Sequence, residues 1–319
     1  MWLLRLRMYL LLIILFAIVY AIVSMISYWL GVSNFYFYLS LSLLMLFIQY
    51  MIGPKLVEWM MQIKYVSPQE YPQLHEMVEE LAKKARIPKP KVGISMVSIP
   101  NAFAFGRSAR DGRVCVTRGI MQLLSKDELK AVLGHEISHI KNRDMLTITL
   151  LSVIPILLYR LAWHLMWFGG GRRREERGSS VALVGLLAFL FYFITNLLVL
   201  YASRIREYFA DRGSVLLGNP PNFLASALYK LVYGSARADR EDLQQIEGVK
   251  AFFLNDPRQA LNEIREISQL DLDRSGTIDM RELEILRNQT IKLSFADKLL
   301  EVFSTHPNML KRIKQLAST

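Results

Sequence analysis

The sequence predicts a mainly α membrane protein with up to four membrane-embedded helices. Between and after them it predicts an α+β domain, a small β-sheet beside a capped helix. Three observations carry this. Residues 8–54 and 178–203 contain no Asp, Glu, Lys or Arg, and an apolar run of about 18 residues crosses the hydrocarbon core as a helix. Apolar residues make up 52% of the 319-residue chain while Gly (17) and Pro (11) are ordinary, which excludes a disordered or collagen-like chain. The charged residues are confined to the remaining stretches, where short strand-like runs alternate with helix-capping signals.

Met8–Leu30 is the first span, rising roughly 35 Å as a helix. It is longer than the apolar region of a signal peptide and reads as a retained anchor. Gly31–Asn34 is a polar turn. Phe35–Gly53 is the second span, and Pro54 is expected to end it. Arg5 and Arg7 before the pair and Lys55 and Lys64 after it place both flanks in the cytoplasm by the positive-inside rule. Met145–Phe168 is a third segment, interrupted by Pro155 and containing Arg160 and His164. Val181–Ser203 is the fourth. The loop between them, 169–177, carries four Arg against two Glu, which fits poorly with full crossing. Two arrangements remain open: a hairpin that enters the bilayer partway, or a pair packed around a wet cavity faced by Arg160 and His164.

In the polar stretches, Ser67 and Glu70 read as a capping box opening a helix to about Arg86, with Leu74, Val78 and Leu81 on one face. Lys91–Val97, Asn101–Phe105 and Arg113–Thr117 read as strands, with Asp111-Gly112 as a turn. Ser125 and Glu128 form a second capping box, and the helix it opens runs to about Asn142. After the fourth segment, helical sequence is broken by 218–221 and by Gly234. The single cysteine, Cys115, excludes an intramolecular disulfide and a cysteine-based metal site; it reads as a buried residue of a strand. His75 reads as a surface residue of the first helix.

His135-Glu136-Ile137-Ser138-His139 is H-E-x-x-H inside the second capped helix. Residues four apart share a helical face, so both imidazoles can address one metal ion, and Glu136 beside them can accept a proton from metal-bound water. Zinc suits two imidazoles, and a catalytic zinc usually takes a third protein ligand. The chain returns to its starting side after the two apolar segments, and Glu207 follows directly. Glu207 can be the third ligand, and Asp211, one turn on, can accept an imidazole N–H. A surface pairing of these carboxylates with Arg204 or Arg206 is the plainer alternative.

The order of two spans, a strand-rich stretch, His135–His139, an apolar hairpin and Glu207-Tyr208-Phe209-Ala210-Asp211 resembles the HtpX-like membrane metalloproteases of peptidase family M48, relatives of the CAAX-processing Ste24 proteases. Asn101-Ala102-Phe103-Ala104 is similar to that family's substrate-facing edge strand. Ser304-Thr305-His306-Pro307, with Arg312 beyond, is similar to its C-terminal motif. The resemblance implies a zincin-like domain with one zinc on His135, His139 and Glu207, and catalysis by Glu136. It further implies that Asn101 and His306 face substrate or oxyanion, that substrate adds as a strand beside Asn101–Phe105, and that Arg312 holds Asp211 or its neighbours. The expected substrates are polypeptides, membrane proteins foremost, in quality control at the plasma membrane, with the protease domain cytoplasmic. A CAAX-type processing protease and a non-enzymatic calcium-responsive scaffold are the competing readings.

Asp271, Asp273, Ser275, Thr277, Asp279 and Glu282, with Gly276 at position 6, fit an EF-hand loop. Divalent-cation binding, calcium over magnesium, is the expectation; an acidic loop capping the next helix is the alternative. The expected organisation is 1–54 (two spans), 55–144 (first protease part), 145–203 (hairpin) and 204–319 (second protease part). The net charge of +11 sits largely beside the apolar spans, where anionic lipid is a simpler partner than nucleic acid.

Overall fold

A computed structural model describes residues 35–144, 175–236, 267–289 and 295–319, together with Thr147, Pro155, Leu158, Tyr159, Ala162, Glu263 and Ile264. The first apolar segment, most of the third, Arg160, His164 and most of the stretch before Asp271 lie outside these residues. The described chain is mostly helical with one small mixed sheet. It divides into two compact units, one of residues 1–51 and 146–205 and one of residues 52–145 and 206–319.

In the first unit, the described part of α1 (Phe35–Met60) exposes Leu44, Phe47, Ile48 and Met51. Pro54 does not end α1; the helix continues through it to Met60. Proline removes one backbone bond and crowds one carbonyl, a local cost of about 3 kcal/mol. Beyond it, Val57 and Met61 are anchored in a core with Phe103, Phe105 and Cys115. The long helix α5 (Glu175–Leu216) holds the stretch Leu183–Leu216, with a window of mean hydropathy 2.4. Among the described residues this is one helix long and apolar enough to cross a bilayer. Leu183, Leu186, Phe189, Leu190 and Phe193 on it are exposed.

In the second unit, strands β1 (Ile63–Tyr65), β2 (Lys91–Ser95), β3 (Ala102–Phe105) and β4 (Arg113–Thr117) form a sheet ordered β1-β2-β4-β3. The central pair β2 and β4 is parallel, in register Lys91↔Arg113 to Ser95↔Thr117. β1 and β3 are the antiparallel edges. β1 is too short for its alternation to show in the sequence. Period-two alternation sends Val114, Val116, Ala102 and Ala104 to one face and Cys115, Phe103 and Phe105 to the other, and both faces are covered.

Helix α2 (Pro72–Ala85) begins later than the Ser67–Glu70 box predicts. The reciprocal bonds exist, from the Ser67 amide to Glu70 Oε2 (2.7 Å) and from the Glu70 amide to Ser67 Oγ (3.4 Å), but they close a turn. Tyr71, at φ −134° and ψ 66°, breaks the helical path, and Pro72 takes the first helical position. His75 is half-buried rather than a surface residue, its Nε2 3.0 Å from the Val66 carbonyl. Helix α3 (Arg118–Leu123) leads to α4 (Lys126–Lys141), capped by the predicted Ser125–Glu128 box. Gly234 does not break a helix: α6 (Pro221–Ala236) runs through it, and a Cβ there would meet Leu123 Cδ2 at 2.9 Å. Helices α7 (Met280–Asn288), α8 (Phe295–Val302) and α9 (Met309–Leu316) complete the chain. The main core joins the Ala102 face of the sheet to Leu133 and Ile137 of α4, Leu224 and Leu228 of α6, and Ile313 of α9.

Candidate metal centre

Two glycines let α4 meet the end of α5. A Cβ on Gly213 would lie 2.3 Å from Ser138 Oγ, and one on Gly134 would lie 2.7 Å from Ser214 Oγ and 2.4 Å from Asn219 Nδ2. Only glycine permits such an approach of two backbones. The Ser214 hydroxyl donates to the Ala131 carbonyl at 2.6 Å and locks the register. That register brings Glu207 and Asp211, one turn apart on α5, to His135 and His139, one turn apart on α4.

His135 and His139 are each oriented by a carboxylate on Nδ1. His135 Nδ1–H donates to Asp211 Oδ1 (2.8 Å), and His139 Nδ1–H donates to Asp144 Oδ2 (2.5 Å). In the neutral rings this pairing leaves a lone pair on each Nε2, and the two Nε2 atoms lie 3.1 Å apart. Glu207 completes a triangle: Oε2 is 3.5 Å from His135 Nε2 and Oε1 is 3.5 Å from His139 Nε2. Two imidazole lone pairs at this spacing repel unless a proton or a cation lies between them. A tetrahedral zinc with bonds near 2.0–2.1 Å sets its ligand atoms roughly 3.3–3.4 Å apart. The three donors therefore fit zinc in chemistry and in spacing, and they form one of the two metal-competent groups among the described residues.

Arg312, fully buried, reaches this cluster from α9. Its Nε donates to Asp211 Oδ2 (2.9 Å), Nη2 donates to Oδ1 (2.7 Å), and Nη1 lies 3.0 Å from Glu207 Oε2. The bidentate fork fixes the carboxylate that in turn fixes His135. His306 is buried with Nδ1 3.3 Å from Glu207 Oε2, and neither ring nitrogen has a hydrogen-bond partner among the described residues. Buried polar atoms without partners mark a strained or functional place.

Glu136 is buried at the edge of the sheet and accepts the Ala104 amide N–H. Burial pushes its carboxyl above the ordinary range, against the pull of His135 and His139. Just before β3, the Asn101 carbonyl accepts the Thr117 amide at 2.8 Å, so alternation turns the peptide groups of Phe103 and Phe105 towards β4 and those of Ala102 and Ala104 away from it, where Glu136 takes the Ala104 amide. Asn101, Ala102 and Phe103 are all buried, and Phe103 packs on the sheet face opposite α4, in the core with Val57 and Met61. The Phe103 side chain thus lies away from the metal cluster's helix.

Asp144 and Arg206 were not legible as site residues. Asp144 lies beyond the i,i+4 spacing of the motif, and its only sequence signal is to be the last carboxylate before the apolar segment at Met145. Arg206, the plainer partner expected for Glu207 or Asp211, pairs with Asp144 Oδ1 at 2.8 Å.

The second metal-competent group is Asp271, Asp273 and Glu282. Here the carboxylates are occupied by their own loop. Asp271 accepts the Ser275 and Gly276 amides, both at 2.8 Å, and Asp273 accepts the Ser275 amide at 3.0 Å. Ser275 and Thr277 hydroxyls lie 2.9 Å apart. Asp279 caps α7, and Glu282 accepts the Asp279 amide (2.9 Å) and the Leu272 amide (2.6 Å). The helix-capping alternative is therefore present in this loop.

Comparison with known proteins agrees with the motif. Residues 68–319 match the model of peptidase family M48. A protein named "Protease HtpX homolog" from Methanothermobacter thermautotrophicus is 51% identical over 231 residues, covering 72% of this chain and 86% of that protein. One of the same name from Moorella thermoacetica is 38% identical over 277 residues, covering 86% of this chain and 80% of that protein. The crystal structure of S. mikatae Ste24p is similar in fold, with TM-score 0.52 and 16% identity over 99% of this chain and 66% of that one.

Proposed function

The chain belongs to peptidase family M48 and is a membrane zinc metalloprotease acting on polypeptides, and on that premise we propose that His135, His139 and Glu207 hold the zinc and Glu136 is the general base. The observation that carries the assignment is the triangle of donor atoms at zinc spacing with both Nδ1 atoms already engaged. The zinc, when bound, acidifies a water and polarises the scissile carbonyl. Glu136 takes the proton and returns it to the leaving amine. His306 donates to the developing oxyanion. Arg312 and Asp211 hold His135 and Glu207 in place. An extended substrate adds as a strand beside Asn101–Phe105, with Glu136 giving up the Ala104 amide as the substrate pairs, a mode that makes few demands on side chains.

The finer reading places these parts in a zincin-like domain, 55–144 and 204–319, attached to the segments 1–54 and 145–203 in a multi-pass plasma-membrane protein. The basic flanks support a cytoplasmic protease domain, and the proposed substrates are membrane proteins under quality control. The likeness to Ste24p concerns fold alone and lends little to a CAAX-processing role. We propose also that the 271–282 loop takes a divalent cation, calcium over magnesium, on the group Asp271, Asp273 and Glu282.

The test is cleavage of casein and of a membrane-protein substrate by the purified full chain in detergent, beside Glu136→Gln. The variant is expected to keep its zinc and lose about 10²–10⁴-fold in rate. Undiminished hydrolysis by Glu136→Gln would overturn the assignment.

A further inference from the structure

We propose that Asp144 and Arg206 form a second positioning arm of the metal centre, in which Asp144 fixes the orientation of His139 and Arg206 fixes Asp144. The inference rests on the reading that His139 holds zinc. One Asp144 oxygen accepts the His139 Nδ1–H at 2.5 Å, and the other lies 2.8 Å from Arg206 Nη2. The order Arg206–Asp144–His139 repeats, with a one-point rather than a two-point arginine contact, the order Arg312–Asp211–His135. Asp144 and Arg206 are both buried. Among the described residues, the buried Nε and Nη1 of Arg206 have no hydrogen-bond partner, and Asp144 is the carboxylate within ion-pair distance of its guanidinium. A buried guanidinium directed at one carboxylate is a device for holding that carboxylate, since it is a poor contributor to stability by itself.

The local backbone explains how Asp144 gets there. Helix α4 ends at Lys141, and Arg143 takes the left-handed conformation at φ +57°, which turns the chain back towards His139. The chain leaves the unit that carries the site after Met145 and re-enters it at Arg206. The ion pair therefore joins the two ends of the apolar excursion, and it does so through the residue that orients a zinc ligand. Metal retention is thereby tied to closure of the base of that excursion.

A carboxylate accepting the second N–H of a ligand imidazole typically contributes 10–100-fold in metal affinity. The experiment uses the full chain in detergent, with zinc release to a chromogenic chelator and the visible spectrum of the cobalt-substituted protein as readouts. Asp144→Asn is expected to bind zinc about 10–100-fold more weakly and to shift the cobalt bands. Asp144→Glu should recover part of the loss. Arg206→Gln should change both readouts in the same direction by less, and the double variant should be no worse than Asp144→Asn. Wild-type affinity and spectrum in Asp144→Asn would overturn the proposal. Should that variant not fold, unchanged readouts in Arg206→Gln would overturn it instead. A wild-type chain that binds no zinc defeats the reading of the site itself, whereas a zinc-binding wild type with an unaffected Asp144→Asn defeats this proposal alone.

Discussion

The His135–Glu207 cluster and the Asp271–Glu282 loop each gather three donor groups within bonding reach of one ion, yet they differ in what those donors already do. In the first, both Nε2 atoms and Glu207 face one another, and the far side of each imidazole is held by a carboxylate. In the second, the carboxylates are answered by amides of their own loop. Convergence of donors is thus a weak sign of a tight metal site; imidazole nitrogens turned inward by carboxylates on their far sides are a strong one.

Chelation separates the two most sharply. A zinc chelator such as 1,10-phenanthroline should abolish peptide cleavage, and zinc should restore it. The calcium-selective chelator EGTA, at a concentration that leaves zinc bound, should leave the rate within about twofold, because removing an ion there perturbs the loop alone. Loss of cleavage in EGTA with full zinc content would show that the loop governs the centre.

Glycine substitutions compare the ways the two regions are built. Gly213→Ala forces a Cβ to within 2.3 Å of Ser138 Oγ and should destabilise the catalytic unit by about 1–3 kcal/mol or more, with loss of zinc. Gly276→Ala meets no atom within 4 Å and is opposed only by its φ of +78°, a cost of about 1–2 kcal/mol with zinc retained. Thermal unfolding with zinc analysis reads both. Equal zinc loss in the two variants would contradict the comparison.

The two capping boxes give a smaller contrast. Glu128 and Glu282 each sit at the third position of a helix, but Glu128 also accepts from Ser226 Oγ (2.6 Å) and Lys230 Nζ. Burial alone would raise the Glu128 pKa; the bonds from Lys230, Ser226 and the Ser125 amide outweigh it and hold the carboxyl below its ordinary 4.5. Its contribution to stability is therefore complete above pH 4.5 and is lost as pH falls through the lower folded-state value. Glu128→Gln should cost about 1–3 kcal/mol at pH 7 and less at pH 4, whereas Glu282→Gln should cost about 0.5–1 kcal/mol. Unfolding midpoints at the two pH values would show whether the Glu128 effect shrinks with acid as required.

How much of this was legible in the sequence follows from the range of the interactions. The His135–His139 spacing and the Ser125–Glu128 box are local, and helix geometry alone makes them readable. The spacing of Glu207 and Asp211 left a surface pairing with Arg204 or Arg206 equally open, and it was the upstream H-E-x-x-H and the family resemblance that pointed to Glu207. Asp144 and Arg206 were not readable, because their pairing exists only once the chain has returned from its apolar excursion. The Ser67–Glu70 box misled because the same reciprocal bonds close a turn as well as a helix. Pro54 misled because a proline's cost is local and the packing of Val57 and Met61 is not. The face that the Phe103 side chain takes, in the core with Val57 and Met61, is set by the β3–β4 register rather than by the strand's composition.

The central claim is that one zinc is held by His135, His139 and Glu207. Zinc content of the purified full chain tests it most directly. One zinc per chain in the wild type and in Glu136→Gln, with loss of that zinc in His139→Ala, is the predicted result. A His139→Ala chain that still carries one zinc would contradict the account.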